Sequence, residues 1–289
     1  MKSSISVIIL TYNEEIHIER LLKNIGDWAD EVFIVDSYSV DRTLEIAKKY
    51  GAAIIQHPFE NQAQQFNWAL DNLEIRNDWI LRLDADEYLT KELKEEISFY
   101  LNPLTPRFAR LRFRLGFGEK EISSSMEVNG YYIKRRVYFM GRWIKHGGYY
   151  PAWFLRLFRK GKAKSEQRAM DEHIVLLEGK AEKLKNDFID DNKKDLTWWI
   201  NKHNNFSSRE AAEALSGNYG RGKKKFYYWL PLFCRAFVYF IYRYFFRFGF
   251  LDGKEGLIFH FLQGFWYRFL IDAKIYEKLR NTKKYENTK

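Results

Sequence analysis

The chain has 289 residues, 46% of them hydrophobic and 30% charged, with a formal net charge of +10; it is long enough for one large domain or two modest ones with an ample core, so a low-complexity polypeptide is excluded. One cysteine, Cys234, excludes an internal disulfide and a cysteine-based zinc cluster, and the absence of a signal-peptide pattern in MKSSISVIIL predicts a reducing, cytoplasmic setting. The charge is uneven: residues 218–289 hold 15 Lys and Arg against 5 Asp and Glu, and 23 of the 52 aromatic residues, which marks the tail as a region with its own partner.

Residues 5–10 (ISVIIL) and 31–37 (EVFIVDS) are β-branched runs separated by the helical pattern EEIHIERLLKNIGDWA, which reads β–α–β. DRTLEIAKKYG predicts a helix that starts after Ser39 or Asp41 and ends at Gly51; a strand (AAIIQH), a helix over 61–75 and a strand over 79–83 follow. This alternation predicts an α/β fold with a mostly parallel sheet and helices on both faces. Ligands bind such sheets outside the carboxyl ends of the strands. Three polar clusters fall there: TYNEE (11–15), DSYSVD (36–41) and DADE (84–87). Each alone also reads as a helix cap, but three at one edge favour a site.

Asp84, Asp86 and Glu87 crowd three carboxylates into four positions, which is costly unless a cation sits among them. Hard divalent ions take oxygen ligands, typically one or two carboxylates plus substrate phosphates. In extended backbone Asp84 and Asp86 share one face and Glu87 takes the other. The plainer alternative is a solvated strand end leading into a helix over 90–101 capped by Thr90. From about 103 the pattern changes to short basic, aromatic strands such as RLRFRLGF and GYYIKRRVYFM, read as mixed or antiparallel additions, and after 180 to a helical pattern. SGNYGRGKKK (216–225) is the best linker, and there is no internal repeat.

Four stretches in order across the first hundred residues, SVIILTYNEE, VDSYSVDRT, QQFNWAL (64–70) and LRLDADEYL (81–89), resemble the inverting nucleotide-sugar glycosyltransferases of family 2, with the GT-A fold. MDEHI…EGK (170–180) and FLQGFWYRFLIDAKIYE (261–277) resemble the bacterial branch that builds capsule, lipopolysaccharide or O-antigen sugars, so the similarity spans nearly the whole chain. The resemblance implies that Thr11, Tyr12, Asn13 and Glu14 line the base and ribose pocket, that Asp36 hydrogen-bonds the base, and that Ser37 and Asn67 border the pocket. It implies that Asp84 reaches ribose or metal and that Asp86 binds Mg²⁺ or Mn²⁺ on the diphosphate. In RAMDEHI it implies a carboxylate general base, Glu172 ahead of Asp171, beside His173; a solvated loop is the alternative there. It also implies that IKHGGYYPAWFLRLFRK (144–160) shapes the donor-sugar and acceptor site through His146, Gly147, Tyr149, Trp153 and Arg156. The alternative for His146 is a packed core residue and for Arg156 a surface cation.

WLPLFCRAFVYFIYRYFFRFGFL (229–251) is aromatic but interrupted by Arg235, Arg243 and Arg247, whereas a span needs roughly 20 predominantly apolar residues. At about 100° per residue the three arginines form one polar stripe, the pattern of a helix lying in a membrane interface with its cations at anionic headgroups. GLIFHFLQGFWYRFLIDAKIYEKLR predicts a second such helix, with Arg268 and Lys274 available to a lipid-linked phosphate. A homo-oligomer built through these helices is the alternative.

The expected organisation is a GT-A domain over 1–217, with a nucleotide-sugar half (1–100) and an acceptor and base half (101–217), followed by a membrane-associated helical tail over 218–289. The expected activity is transfer of a sugar from a nucleotide diphosphate, with UDP favoured, to a lipid-linked glycan or lipopolysaccharide acceptor at the cytoplasmic face of a bacterial inner membrane. Transfer to polyprenyl phosphate is the runner-up. A nucleotidyltransferase typically has a glycine-rich basic loop after the first strand, and TYNEE is acidic and lacks glycine. A membrane or nucleic-acid surface binder built on the tail is the non-enzymatic alternative; nucleic acid is not an expected partner.

Overall fold

A computed structural model describes residues 3–101, 128–166, 173–216, 227 and 229–286. RLRFRLGF, the Asp171–Glu172 pair and nearly all of the 216–225 linker lie outside the described residues. The chain forms two compact units, residues 1–136 with 151–193 and residues 137–150 with 194–289.

In the first unit β1 (Ser3–Thr11), β2 (Ala29–Asp36), β3 (Ala53–Gln56) and β4 (Trp79–Asp84) are parallel, in the order β3-β2-β1-β4. The sheet continues through β8 (Ala152–Arg159), β6 (Val128–Phe139), β11 (Lys180–Asp191) and β5 (Glu87–Leu89), with β8 antiparallel to both β4 and β6. A separate antiparallel pair is β9 (Ala163–Ser165) with β10 (Ile174–Leu176). Alternation along β1 assigns its two faces. Ile5, Val7 and Ile9 pack with α1 (Glu15–Ile25), α2 (Thr43–Lys49) and α4 (Lys91–Leu101) in one core cluster. Ile8 packs with Phe66 and Ala69 of α3 (Gln62–Asn72) in a second. Helices therefore cover both faces, as the run of apolar β-branched residues requires. Asn61 caps α3 by accepting from Gln64 N at 2.8 Å, and Thr90 caps α4 by accepting from Leu93 N at 3.2 Å.

Of the helical pattern expected after 180, residues 196–215 do form a helix, whereas residues 180–191 are a 12-residue strand, β11. Its charges conceal the strand because they are matched across the sheet: Asp187 pairs with Lys134 and Arg136, and Asp190 with Arg135. Leu184 and Phe188 supply the buried face.

Among its described residues the second unit is helical apart from the hairpin between the last residues of β6 and β7 (Arg142–Ile144) and its connecting turns. α5 (Leu196–Leu215) packs on α8 (Tyr267–Glu286) through Ala211, Ala214, Tyr267, Ile271 and Ile275. That packing gathers residues 194–216 into the same compact unit as residues 229–286. α6 (Cys234–Ile241) widens into a π-helical turn over 242–246 and breaks at Phe248, whose φ is 59°. α7 (Gly253–Phe259) runs through a π-helical stretch, 260–266, into α8. No described helix is long and apolar enough to cross a membrane.

The arginine stripe expected to face headgroups turns inward instead. Arg235 is buried and its Nε donates to Asp272 Oδ1 at 2.7 Å. Arg243 lies 4.0 Å over the ring of Tyr149 and donates to Tyr239 Oη. Only Arg247 of the three is exposed. An arginine that finds a buried carboxylate or ring partner satisfies its donors inside, leaving the aromatic side of the helix to solvent. Arg268 and Lys274 are likewise committed. Arg268 donates to Glu210 at 2.7 Å among the rings of Tyr227, Tyr239 and Tyr267, and Lys274 donates to Asn204, Ser207 and Ser208.

Burial pushes His260 and His203 down to about 4 from their ordinary 6.5. Both are held neutral in the fold, so the stability they contribute is complete above about 6.5 and is lost as the pH falls towards about 4. Thermal melts of the full chain are expected to lose stability through that window, and His203→Phe is expected to flatten part of the loss; a profile unchanged by the variant contradicts the assignment.

Candidate active site

Register places the polar clusters at one edge. Thr11 is opposite Asp36, Leu10 is opposite Asp84, and Asp36 is opposite Gln56, all at the carboxyl ends of the parallel strands. Asp36 is fully buried and accepts from Thr11 Oγ1 at 2.9 Å, from Ser39 N at 2.8 Å, from Ser39 Oγ at 2.5 Å and from Gln56 Nε2 at 3.3 Å. Asn13, at φ 54°, donates its N–H to Ser39 Oγ and accepts from Val40 N. Asparagine tolerates that left-handed conformation because its amide bonds locally. The loops after β1 and β2 are thus stitched into one ledge that leaves the rings of Tyr12 and Tyr38 exposed. Tyr12 is one of the expected pocket residues, and Tyr38 adds a second exposed ring from the DSYSVD cluster. Ser37 N donates to Thr11 O, and Ser37 Oγ accepts from Gln65. Asn67 does not join this ledge. Its amide is consumed by the backbone of Ser165, donating to O at 3.0 Å and accepting from N at 2.8 Å, so it latches α3 to β9.

The chain turns at Ala85–Asp86, so the extended-strand rule does not apply there, yet the carboxylates still separate. Glu87 points inward at 2% exposure, accepts from Asp84 N at 2.9 Å and receives Arg156 Nη2 at 2.6 Å. Burial holds its carboxyl well above the usual carboxylate range, with Arg156 opposing. Asp84 lies between two buried guanidiniums, those of Arg82 and Arg156, each at 3.3 Å. Arg156, expected on the acceptor side, is therefore a counter-ion of this cluster. Trp153, at the start of the same strand, lies under the ammonium groups of Lys134 and Lys183.

The segment after β11 closes on the turn. Asn192 Nδ2 donates to Asp86 Oδ2 at 2.8 Å and Asp191 N donates to Asp86 O at 3.1 Å. One stripe of α1 holds both pieces. Arg20 donates to Asp86 O at 2.9 Å, to Asp191 O at 2.7 Å and to Asp191 Oδ2 at 2.9 Å, while Asn24 exchanges two hydrogen bonds with Leu89. His17, fully buried, accepts at Nε2 from Lys193 N at 2.8 Å, which leaves its proton on Nδ1, donated to Glu14 Oε2 at 2.5 Å. His17 thus ties the expected nucleotide-pocket residue Glu14 to the segment that carries Asn192.

Charge at the turn is balanced except at one position. Asp84 and Glu87 are matched by Arg82 and Arg156, and Asp191 by Arg20 and Lys193. Asp86 is partly exposed, and among the described residues its carboxylate meets no cation, only the neutral amide of Asn192. No group of three or more His, Cys, Asp or Glu among the described residues is arranged to hold a metal by itself. The donor set suits a hard divalent ion that takes one or two carboxylates and completes its shell with water and substrate phosphate.

Residues 6–162, over half the chain, match the family described as glycosyl transferase family 2. The chain belongs to that family. An uncharacterized glycosyltransferase of Rickettsia bellii is 41% identical over 99 residues, 34% of this family 2 chain. That match spans about a third of the relative's own length, 33%. The lipopolysaccharide core biosynthesis glycosyltransferase LpsC of Rhizobium meliloti is 26% identical over 284 residues, covering 96% of this chain and 93% of LpsC. Among solved structures, S. aureus TarS aligns at TM-score 0.33 and 25% identity over 47% of this chain and 22% of TarS. The family 2 membership accords with the GT-A arrangement expected from the sequence, a parallel half extended by antiparallel strands.

His146, Gly147, Tyr149 and Arg268 belong to the second unit, where each has internal partners. Asp252, itself buried, accepts from His146 N at 2.9 Å and pairs with His146 Nδ1 at 2.6 Å. Gly147, at φ 65°, presses against the imidazole of His260, so no side chain fits there. Tyr149 packs on Phe259.

His17 yields a direct prediction. His17→Phe removes both hydrogen bonds while keeping a ring, and a loss of about 10–100-fold in nucleotide affinity is expected, the range for two lost buried hydrogen bonds that tie Glu14 to the Asn192 segment. His17→Gln, which can still donate and accept, is expected to recover part of the loss. Equal affinity in the Phe variant and wild type contradicts the role.

Proposed function

We propose that this chain is an inverting glycosyltransferase that moves a sugar from a nucleotide diphosphate, a uridine nucleotide in first place, to a lipid-linked glycan or lipopolysaccharide precursor at the cytoplasmic face of a bacterial inner membrane. The observation that carries the reading is Asp86, the carboxylate left without a cation beside the ledge of Thr11, Tyr12, Asn13, Glu14, Asp36 and Tyr38. The ledge suits a planar base and ribose, with exposed rings for stacking and oxygen acceptors for hydroxyls. Asp86, with Asp84, would hold Mg²⁺ or Mn²⁺, which supplies positive charge to the leaving diphosphate. Asp84 is tempered by its two arginines, so Asp86 would be the principal ligand.

Transfer forms a bond from the acceptor oxygen to the anomeric carbon as the bond to the diphosphate breaks, with inversion. The hydroxyl proton goes to a carboxylate base, Glu172 or, in second place, Asp171. Glu172→Gln and Asp171→Asn, assayed separately, assign that role: the base is the residue whose replacement stops transfer while leaving nucleotide binding intact. Support for a lipopolysaccharide-type acceptor comes from LpsC, similar across almost the whole chain. The test is mass-spectrometric detection of sugar added to extracted lipid-linked glycans and core-truncated lipopolysaccharide, using a panel of UDP-, dTDP- and GDP-sugars. One donor that gives product only with divalent metal is the expected outcome; hydrolysis or nucleotidyl transfer in place of sugar transfer overturns the reading.

A further inference from the structure

The second unit exposes a large apolar surface with a continuous composition. From Trp229 to Phe269 the exposed large hydrophobic residues include Phe237, Ile241, Phe245, Phe246, Phe248 and Phe250, with Phe246 71% exposed. Ring contacts make the surface one piece. Phe269 touches Phe265, which touches Phe237 and Phe240; Phe240 stacks on Tyr244, which touches Phe245 and Phe250, and Phe250 touches Phe248. Exposed aromatic area of this extent marks an interaction surface.

Charge selects the occupant. Among described residues 229–269 the exposed charged residues are Arg247 and Lys254, both basic; Glu255 is half-buried and Asp252 is buried. A rim whose exposed charges are both positive disfavours a second copy of itself and matches anionic headgroups. We infer that this face docks on an anionic bilayer by inserting its aromatic rings at the interface, with Arg247 and Lys254 at the lipid phosphates and Arg235 and Arg243 turned inward as internal braces. The inference deepens the membrane-proximal reading proposed above and rests on it for its biological setting. It reverses the expected division of labour, in which an arginine stripe leads.

The mode has its own signature. Adsorption led by arginine collapses at about 1 M salt, where the Debye length is about 3 Å, whereas ring insertion does not. The experiment is co-sedimentation of the full chain with phosphatidylcholine vesicles, with and without about one third phosphatidylglycerol, at about 0.1 and about 1 M salt. Wild type is expected to bind the anionic vesicles and to lose less than about threefold between the two salts. The double variant Phe245→Asp/Phe246→Asp is expected to bind about tenfold or more weakly. Phe245→Leu/Phe246→Leu is expected to bind within a few-fold of wild type, and metal-dependent UDP binding in both variants reports that the fold is intact.

Binding abolished by high salt overturns the inference, as does concentration-dependent self-association with no vesicle binding, which assigns the face to a second copy. Equal vesicle binding by the Asp variant also overturns it. Vesicle binding without sugar transfer to any lipid-linked acceptor leaves this inference standing and removes the functional reading; transfer to detergent-dispersed acceptor by a chain that ignores vesicles does the reverse.

Discussion

Asp86→Ala is expected to slow sugar transfer by about 10²–10³-fold, equivalent to about 3–4 kcal/mol of transition-state stabilisation. The carboxylate is the acid of its cluster with no cationic partner among the described residues, so it is the position at which a divalent ion relieves rather than creates an imbalance. Asn192→Ala removes only a donor to Asp86 and is expected to fall in the milder range of about 10–100-fold. The comparison separates ligand from positioning residue. Steady-state rates at several metal concentrations check it: raising the metal restores Asn192→Ala and leaves Asp86→Ala slow. An Asp86→Ala enzyme with unchanged rate and unchanged metal dependence contradicts the assignment.

Arg156→Met is expected to destabilise the first unit by about 3–5 kcal/mol at neutral pH, the range for removing one partner of a buried ion pair. Arg156 is 6% exposed and bonds both Glu87, 2% exposed, and Asp84. Met keeps the volume and strands the acids. The loss depends on pH in a defined direction. Burial raises the folded-state pKa of Glu87 above its unfolded value, so the stability linked to this group is complete below about 4.5 and declines as pH rises through the folded pKa. Arg156 limits that decline in the wild type. The variant's deficit is therefore smallest near pH 4.5 and grows towards pH 7, and denaturant unfolding at both values measures it. A deficit that is constant with pH, or largest in acid, contradicts the pairing.

The first half of the fold was legible because β1, β2 and β4 are buried on both faces and so read as mostly apolar runs, broken by Ser6 in β1 and Arg82 in β4, and because Thr11, Asp36 and Asp84 end them. The strand β11 was not legible. Its Asp187 and Asp190 find cations on β6, a match between residues some fifty positions apart that no local pattern reports. Asn192 was hidden for the same reason, inside a segment read as the start of a helix. His17, Arg20 and Asn24 did carry a signal. They recur at helical spacing along α1 beside the apolar stripe of Ile18, Leu21 and Ile25, and a polar stripe of that kind on a helix flanking a sheet edge points to a second contact surface. The tail shows the limit of periodicity. Its spacing separates an arginine stripe from an aromatic one, but only Asp272 and Tyr149, distant in sequence, decide which stripe faces inward.

The central claim is a donor site for a nucleotide diphosphate completed by a divalent ion at Asp86. Calorimetric titration of UDP, GDP and dTDP into the full chain, with Mn²⁺ or Mg²⁺ and again with chelator, tests it most directly. The account predicts binding of one nucleotide, UDP, that requires the metal. Nucleotide binding that is indifferent to chelator, or no binding of any of the three, would contradict it.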